Sequence, residues 1–588
     1  MADIVCTYNR LGQISNLTDA LGERNFTYNN QFPLTSESID GIYNKEINRI
    51  YSITGIKGRY ITMGIGNAPL ANYSYDAVGR VSGVNNITLG YLANSNFLST
   101  VTRPNNVNTT WSYEANRNLV TAVENNLNNS VISNYTYTND ALGRRTEMSR
   151  SGSVFSAADT LNYSYNDRSE VTGATSNAAN TTYNYAYSFD NIGNRLTANL
   201  AGTPWTYTAN NLNEYSAFTI NQVAETPSYD DDGNMLTRDG WTQTWNGENR
   251  LIKAEKGTAK LEFAYDYMGR RIFKKVYSGL TLTKHIRFVY DGYKLIEELN
   301  ALNNNAVLRR YTWSLVGLDT PVSVYDANAN ATYYYNTDAN KNITELTDAS
   351  GAVVAHYEYS PFGKVLVANG TYASINPFRF SSEYHDDESS LVYYNYRYYS
   401  PELGRWLSRD PIGEKGGLNL YAMVRNNGIN NLDHLGNKKY NFCCQQWTFV
   451  FEAHGTPEDC VLAMLKGTAY EDDVKRWVYG MGIASLGAAT TATNAGVISK
   501  MGGPLAIGGI IFAGGDFLAS KFAIYYACKQ CIKGNCFKWY NATQRCIKKG
   551  LIYDTWESSC PNGGVLIDSI ATMFGDPLAL PNTSTYWQ

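Results

Sequence analysis

The sequence predicts a mainly β protein, built from hairpins that pair edge to edge into one continuous sheet. Three observations predict it. Tyr fills 47 of the 588 positions, and much of it falls in one recurring phrase. The runs in front of that phrase alternate between aromatic and small polar residues. Charge is sparse, at 17% of residues against about 25% in an average soluble domain.

The phrase joins an aromatic pair, Asn or Asp, one or two further residues, Gly, then Arg or Asn and an aliphatic residue. It reads Tyr75-Asp76-Ala77-Val78-Gly79-Arg80-Val81 and Tyr137-Thr138-Asn139-Asp140-Ala141-Leu142-Gly143-Arg144. It returns as Phe189-Asp190-Asn191-Ile192-Gly193-Asn194-Arg195-Leu196 and Tyr265-Asp266-Tyr267-Met268-Gly269-Arg270-Arg271. Self-similarity at roughly 16 to 28 residues marks a repeat architecture. In the run from Thr182 to Phe189, a strand puts Tyr183, Tyr185, Tyr187 and Phe189 on one face. Asn and Asp tolerate the left-handed region and Gly enters it at no steric cost, so the phrase turns the chain. The aliphatic residue then opens the return strand. One hairpin is marginal in water, which forces the repeats to pair side by side. A Tyr-rich β-sandwich is the alternative, but it has no need to reuse the same turn words.

Net charge is −4 and the pI is about 5.9. That gives no electrostatic footprint for nucleic acid. The chain is long for one compact core, whereas a repeat sheet grows without one. Residues Met1 to Asn9 show neither the basic start nor the apolar run of a signal peptide. Tyr8-Asn9-Arg10-Leu11-Gly12 is already a turn word, so the first strand offers an open edge. A truncated N-terminus, or an upstream capping or delivery partner, is expected there. The sequons at Asn16, Asn72 and Asn86 are what chance produces in a chain rich in Asn, Ser and Thr.

Residues 1–290 read as repeats, and the words then change. Phe288-Val289-Tyr290-Asp291-Gly292-Tyr293 opens a stretch that holds Tyr357-Glu358-Tyr359-Ser360-Pro361-Phe362-Gly363 and Phe378-Arg379-Phe380. Arg397-Tyr398-Tyr399-Ser400-Pro401-Glu402-Leu403-Gly404-Arg405-Trp406 follows, then Ser408-Arg409-Asp410-Pro411-Ile412-Gly413 and Gly416-Gly417-Leu418-Asn419-Leu420-Tyr421. This run resembles the RHS-repeat-associated core. The phrases upstream resemble the YD repeats of bacterial RHS proteins, toxin-complex C subunits and animal teneurins. Together the two cover about three-quarters of the chain. The resemblance implies a curved, spiral, cocoon-like β-shell over 1–290 and an inward-spiralling core over 291–437. This sequence departs from the family pattern in four places. The family's Phe-x-Gly is Phe380-Ser381-Ser382, and its Gly-Leu-Tyr is Ser390-Leu391-Val392. Its Asn-Asn-Pro is Asn426-Asn427-Gly428, and its closing Asp-Pro-x-Gly-Leu is Asp433-His434-Leu435-Gly436-Asn437.

The resemblance also implies self-cleavage just after the last motif, by carboxylates held in the core. An aspartyl mechanism needs two carboxyl groups close enough to share a proton, one form activating water and the other protonating the leaving amide. The matching residues are Asp410 and Asp433. Arg409 is the candidate to hold a carboxylate or stabilise the oxyanion. The scissile bond would be Asn437–Lys438. As plain residues both aspartates also read as turn formers.

After Asn437 the composition changes. Eight of the nine cysteines lie in the tail, at Cys443, Cys444, Cys460, Cys528, Cys531, Cys536, Cys546 and Cys560. Four disulfides in an oxidising compartment is one interpretation. A zinc site at Cys528, Cys531, Cys536 and Cys546 is the weaker one, because the second knuckle spacing is missing. Trp477 to Ser499 is free of charge, Lys500 follows, and Met501 to Gly515 is free of charge again. Gly502-Gly503-Pro504 breaks this run, which predicts an apolar helical hairpin over 477–527 beside a Cys-rich segment, 528–560. The hairpin either inserts into a target membrane or packs as a buried core. No cofactor fingerprint and no other enzymatic signature is present in the tail; His454 stands alone.

Two functions of different classes follow. One is a polymorphic toxin of interbacterial competition, secreted or at the cell surface: a shell stores, cuts off and releases a tail, and a cognate immunity protein protects the producer. The other is a surface adhesion or structural protein whose tail anchors or staples it.

Overall fold

The computed structural model describes residues 4–441, with gaps at 20–21, 31–32, 40–42, 54–57, 67, 179, 318–319 and 437. It further describes the strands Phe451–Glu452, Phe537–Thr543 and Ile552–Ser558. The described residues hold strands and short 3-10 turns. They divide between a unit over Met1–Phe442 and one over Cys443–Gln588.

The first unit is a meander. Twenty-one strands, from Val5–Tyr8 to Val223–Glu225, form one antiparallel sheet, and thirteen, from Thr237–Arg238 to Val365–Asn369, form a second. Each strand pairs with the next in sequence, as the repeat phrase requires. The predicted β class therefore holds, but the one continuous sheet expected is two, because pairing stops between Glu225 and Thr237. The change of wording near 290 does not interrupt the sheet: Thr281–Asp291 pairs with the strands on both sides of it. The strand expected from Thr182 begins at Tyr185, because Thr181–Tyr183 forms a 3-10 turn capped by the Asn180 side chain. Tyr185 and Tyr187 still stack on one buried face.

The turn word closes on itself. One carboxylate oxygen of Asp76 accepts from the N–H groups of Val78 and Arg80, at 3.1 and 2.8 Å, and the other from Arg80 Nε at 2.7 Å. Asp140 and Asp266 repeat the pattern with Arg144 and Arg270. The Arg then reaches the neighbouring turn. Arg117 donates to the carbonyl of Asp140, Arg144 to that of Asn166 and Arg168 to that of Asp190. This charge-assisted chain runs from turn to turn along one rim.

The Tyr of the word is a staple. Its hydroxyl donates to the carbonyl of the first residue of the preceding strand: Tyr75 to Tyr60 at 2.6 Å, Tyr113 to Leu98 at 2.8 Å and Tyr359 to Ile343 at 2.6 Å. Phe would fill the same space and leave that carbonyl unpaired.

The two sheets pack on each other with an offset that starts near 240 residues and narrows along the chain. Arg24 meets Asp266, Arg49 meets Asp291 and Asn105 meets Thr347, each pair 242 residues apart. Farther along, the separation falls to 212 at Ser133–Glu345 and 208 at Arg150–Glu358, as in a strip that coils and lies against its own previous turn. Residues 370–436 form a plug that packs against both sheets, from Ser169 and Arg195 of the first to Arg271 and Trp313 of the second. Their small four-stranded sheet, Tyr384–Asp386, Leu391–Tyr393, Tyr398–Ser400 and Arg405–Trp406, surrounds fully buried Trp406, Tyr394 and Tyr399. Two of the departures sit here. Ser382 and Ser390 stand where the family has Gly, and both keep the left-handed backbone, with φ of 58° and 55°.

In the second unit the three described strands form an antiparallel sheet. Two of them fall in the Cys-rich segment. The helical hairpin expected over 477–527 and the eight tail cysteines lie outside the described residues. No helix among the described residues is long and apolar enough to cross a membrane.

Candidate functional site

The site forms where the last strand of the core turns back. Asn431–His434 pairs antiparallel with Lys438–Asn441, with Asp433 opposite Lys439 and His434 opposite Lys438. The turn between them passes through Leu435 and Gly436, both left-handed, with φ of 60° and 77°. Gly is required at 436 for a second reason: a Cβ there would meet the carbonyl oxygen of Tyr394 at 3.0 Å. Tyr396 fixes the turn by donating its N–H to the carbonyl of Leu435 at 3.0 Å. Lys438, on one side of the bond expected to break, opens the return strand. Asn437 lies outside the described residues.

Asp410 and Asp433 come together here, although they sit on different elements. One nitrogen of Arg397, Nη2, lies 3.0 Å from Asp410 Oδ2 and 3.2 Å from Asp433 Oδ2. The two carboxylate oxygens are therefore no farther apart than the sum of those distances. Asp410 is also the turn former that its Asp-Pro context suggests. Its Oδ1 accepts from the N–H of Ile412 at 3.0 Å, and its carbonyl accepts from Gly413. Its other oxygen is left to face Arg397. Gly416 makes room for that oxygen, since a Cβ there would approach it to 2.6 Å.

Arg397 was missed in the sequence, where Arg-Tyr-Tyr counted as a family signature and not as chemistry. Its guanidinium lies over the Trp406 ring, 4.0 Å from the centroid, and Nε donates to the carbonyl of Gly436. Nη1 reaches the carbonyl of Leu420 at 3.4 Å. Arg409 does not join the pair. It turns to Glu214 of the first sheet at 2.9 Å, beside the Tyr421 hydroxyl. The role expected of Arg409, holding a carboxylate, thus falls to Arg397.

Burial sets the electrostatics. The side chains of Arg397, Asp410 and Asp433 are 2%, 12% and 5% exposed, so water contributes little screening. Burial pushes the Asp410 carboxyl above the usual aspartate range, and Arg397 only partly pulls it back. Burial likewise pushes the Arg397 guanidinium below its usual value, against the pull of Asp433 and Asp410. Among the described residues no group of His, Cys, Asp and Glu could hold a metal ion.

A cavity lies elsewhere, in the seam between the two sheets. It has about 60 Å³, is lined by Tyr135, Arg145, Arg150, Asp338 and Glu358, and has room for a few waters. Neither Asp410 nor Asp433 lines it, so it is separate from the carboxylate pair.

Fold and site together define a coiled β-strip of Tyr-Asp repeats, ending in a core that gathers two carboxylates beside its last turn. Known proteins share this build. The family profile described as Teneurin YD-shell matches residues 4–427, and the chain belongs to that family. It is 32% identical over 226 residues to the double-stranded DNA deaminase toxin A of Burkholderia cenocepacia, a match covering 34% of this chain and 16% of that protein. It is 31% identical over 214 residues to the toxin subunit YenC1 of Yersinia entomophaga, covering 32% and 21%. A crystal structure of TcdB2-TccC3-Cdc42 superposes with a TM-score of 0.56 at 19% identity, over 74% of this chain and 27% of that one, and shares the fold. The matches thus span about a fifth or less of these two curated relatives.

Proposed function

We propose that this chain is the shell, core and tail of an RHS-type toxin whose core cuts its own chain at Asn437–Lys438 and frees the tail. One observation carries the cleavage: two carboxylates buried within reach of a single guanidinium nitrogen, beside the turn through Leu435 and Gly436 that precedes the bond. Asp433 acts as the base on water and Asp410 as the acid on the leaving nitrogen. Arg397 orients both and holds the carbonyl just before Asn437. Relatives with toxin names and matching shells support the toxin class. The complex of TcdB2 with TccC3 supports a delivery or capping partner, and the toxin relatives of Yersinia entomophaga and Pseudomonas aeruginosa support secretion. The tail is the effector, and an immunity protein protects the producer.

The test is a denaturing gel of the full chain. Wild type gives two bands. Asp410→Asn and Asp433→Asn each give one full-length band. A single full-length band from wild type returns both aspartates to plain turn formers. The toxin class is tested separately, by expressing residues 438–588 alone and measuring growth.

A further inference from the structure

Two buried arginines meet where the plug packs on the first sheet. Arg195 opens the strand Arg195–Leu200 of that sheet, and Arg405 lies in the plug strand Arg405–Trp406. Each is 3% exposed. Both side chains line one cavity of about 10 Å³, together with Tyr215, Gly404, Asn419 and Tyr421. We propose that this cavity is an anion site, and that it takes a chloride ion which ties the plug to the first sheet.

Charge carries the argument. A guanidinium stays protonated in a protein, so burial neutralises neither group. No Asp or Glu lines the cavity among the described residues. The carboxylates around it are engaged elsewhere: Glu214 by Arg409 at 2.9 Å and by the Tyr421 hydroxyl, Glu170 by Arg168 and Asn426. Two like charges beside one low-dielectric cavity repel each other, and an anion between them offsets both.

Aromatic rings offset only part of the charge. Arg195 lies 4.7 Å from the centroid of Tyr187 and 4.6 Å from that of Phe362; Arg405 lies 3.9 Å from Tyr215 and 4.6 Å from Tyr421. A ring meets the flat face of a guanidinium and leaves the N–H groups in its plane unbonded. Arg195 Nη1 reaches the carbonyl of Glu402 at 3.5 Å, and Arg405 Nη2 donates to that of Asn213 at 2.6 Å. Arg195 Nη2, Arg405 Nε and Arg405 Nη1 are buried with no hydrogen-bond partner among the described residues. Gly404 lets the two groups approach, since a Cβ there would collide with Arg195 Nη2.

Size selects the ion. The cavity has room for about one water-sized occupant, so a carboxylate, a sulfate or a phosphate is too large. A monatomic halide suits it, and chloride is the abundant one in biological fluids.

The full chain is melted at constant ionic strength while chloride replaces isethionate, an anion too large to enter. Constant ionic strength keeps screening out of the comparison. The melting temperature is expected to rise by about 3 °C at a hundredfold excess of chloride over its dissociation constant. Arg405→Met is expected to lose that rise. Crystals of the full chain soaked in sodium bromide are expected to show an anomalous peak between the two guanidinium groups. The same melt in both salts overturns the proposal, and so does a map with no bromide between the two groups. If Arg405→Met fails to fold, the bromide map of the wild type decides.

Discussion

At the scale of the residue, the repeat is a division of labour among Tyr, Asp, Gly and Arg. Asp and Gly shape the turn, Arg ties it to the next, and Tyr ties its strand to the one before. The first two roles follow from spacing alone, because Asp76 binds the N–H groups two and four residues on. The Tyr role does not follow, because the acceptor lies on a neighbouring strand. Tyr113→Phe should therefore cost about 1 kcal/mol, the net worth of one buried hydrogen bond, read as a lower melting temperature. Tyr8→Phe, at a position 61% exposed, should leave the melt unchanged and serves as the control. An unchanged melt for Tyr113→Phe would show that the ring, not the hydroxyl, matters.

At the scale of the element, the strands of the second sheet carry charges that only the first sheet can satisfy. Ile343–Thr347 and Val353–Tyr359 place Glu345 opposite His356, and alternation puts Glu358 on the same face. His356 lies 3.3 Å from each carboxylate. The first sheet adds Tyr135 to Glu345, and Arg150 and Tyr183 to Glu358. Burial alone would lower the His356 pKa, but its hydrogen bonds to Glu345 and Glu358 win and raise it to about 9. The folded value lies above the ordinary 6.5, so the stabilisation is complete below 6.5 and is lost as pH rises through about 9. Thermal melts should show that decline for wild type between those limits. His356→Gln should melt lower throughout and lose the slope. A wild-type melt that is flat across this window would remove His356 from the seam's electrostatics.

At the scale of the whole molecule, the plug is fastened by a buried cation. Arg271 sits among Phe263, Phe288, Tyr384 and Tyr393 and pairs with Asp386 of the plug at 2.5 Å; Lys274 meets the same carboxylate at 2.9 Å. Arg271→Met leaves Asp386 with Lys274 alone, and should cost about 3 kcal/mol in a denaturant melt, the lower end for a broken buried pair. A loss no larger than that of an exposed pair would mean that the plug is held by packing instead. The tail makes its own prediction. Purified residues 438–588 should release dye from liposomes, and Leu505→Asp should abolish the release. A soluble tail that melts cooperatively and leaves liposomes intact would make the charge-free stretch a buried core.

The repeat unit, its turn and the β class were legible in the sequence, because each depends on residues a few positions apart; the two aspartates were singled out only by the family resemblance. Hydrogen bonds that close within one turn word need only the right spacing, and alternation alone decides which residues share a face. The tertiary structure decided which rows of the two sheets meet and which arginine serves the carboxylates. Arg409 adjoins Asp410 in the chain yet turns to Glu214, while Arg397 arrives from another turn to bridge Asp410 and Asp433. Contacts 242 residues apart depend on small twists summed over many strands, and no single phrase records that sum.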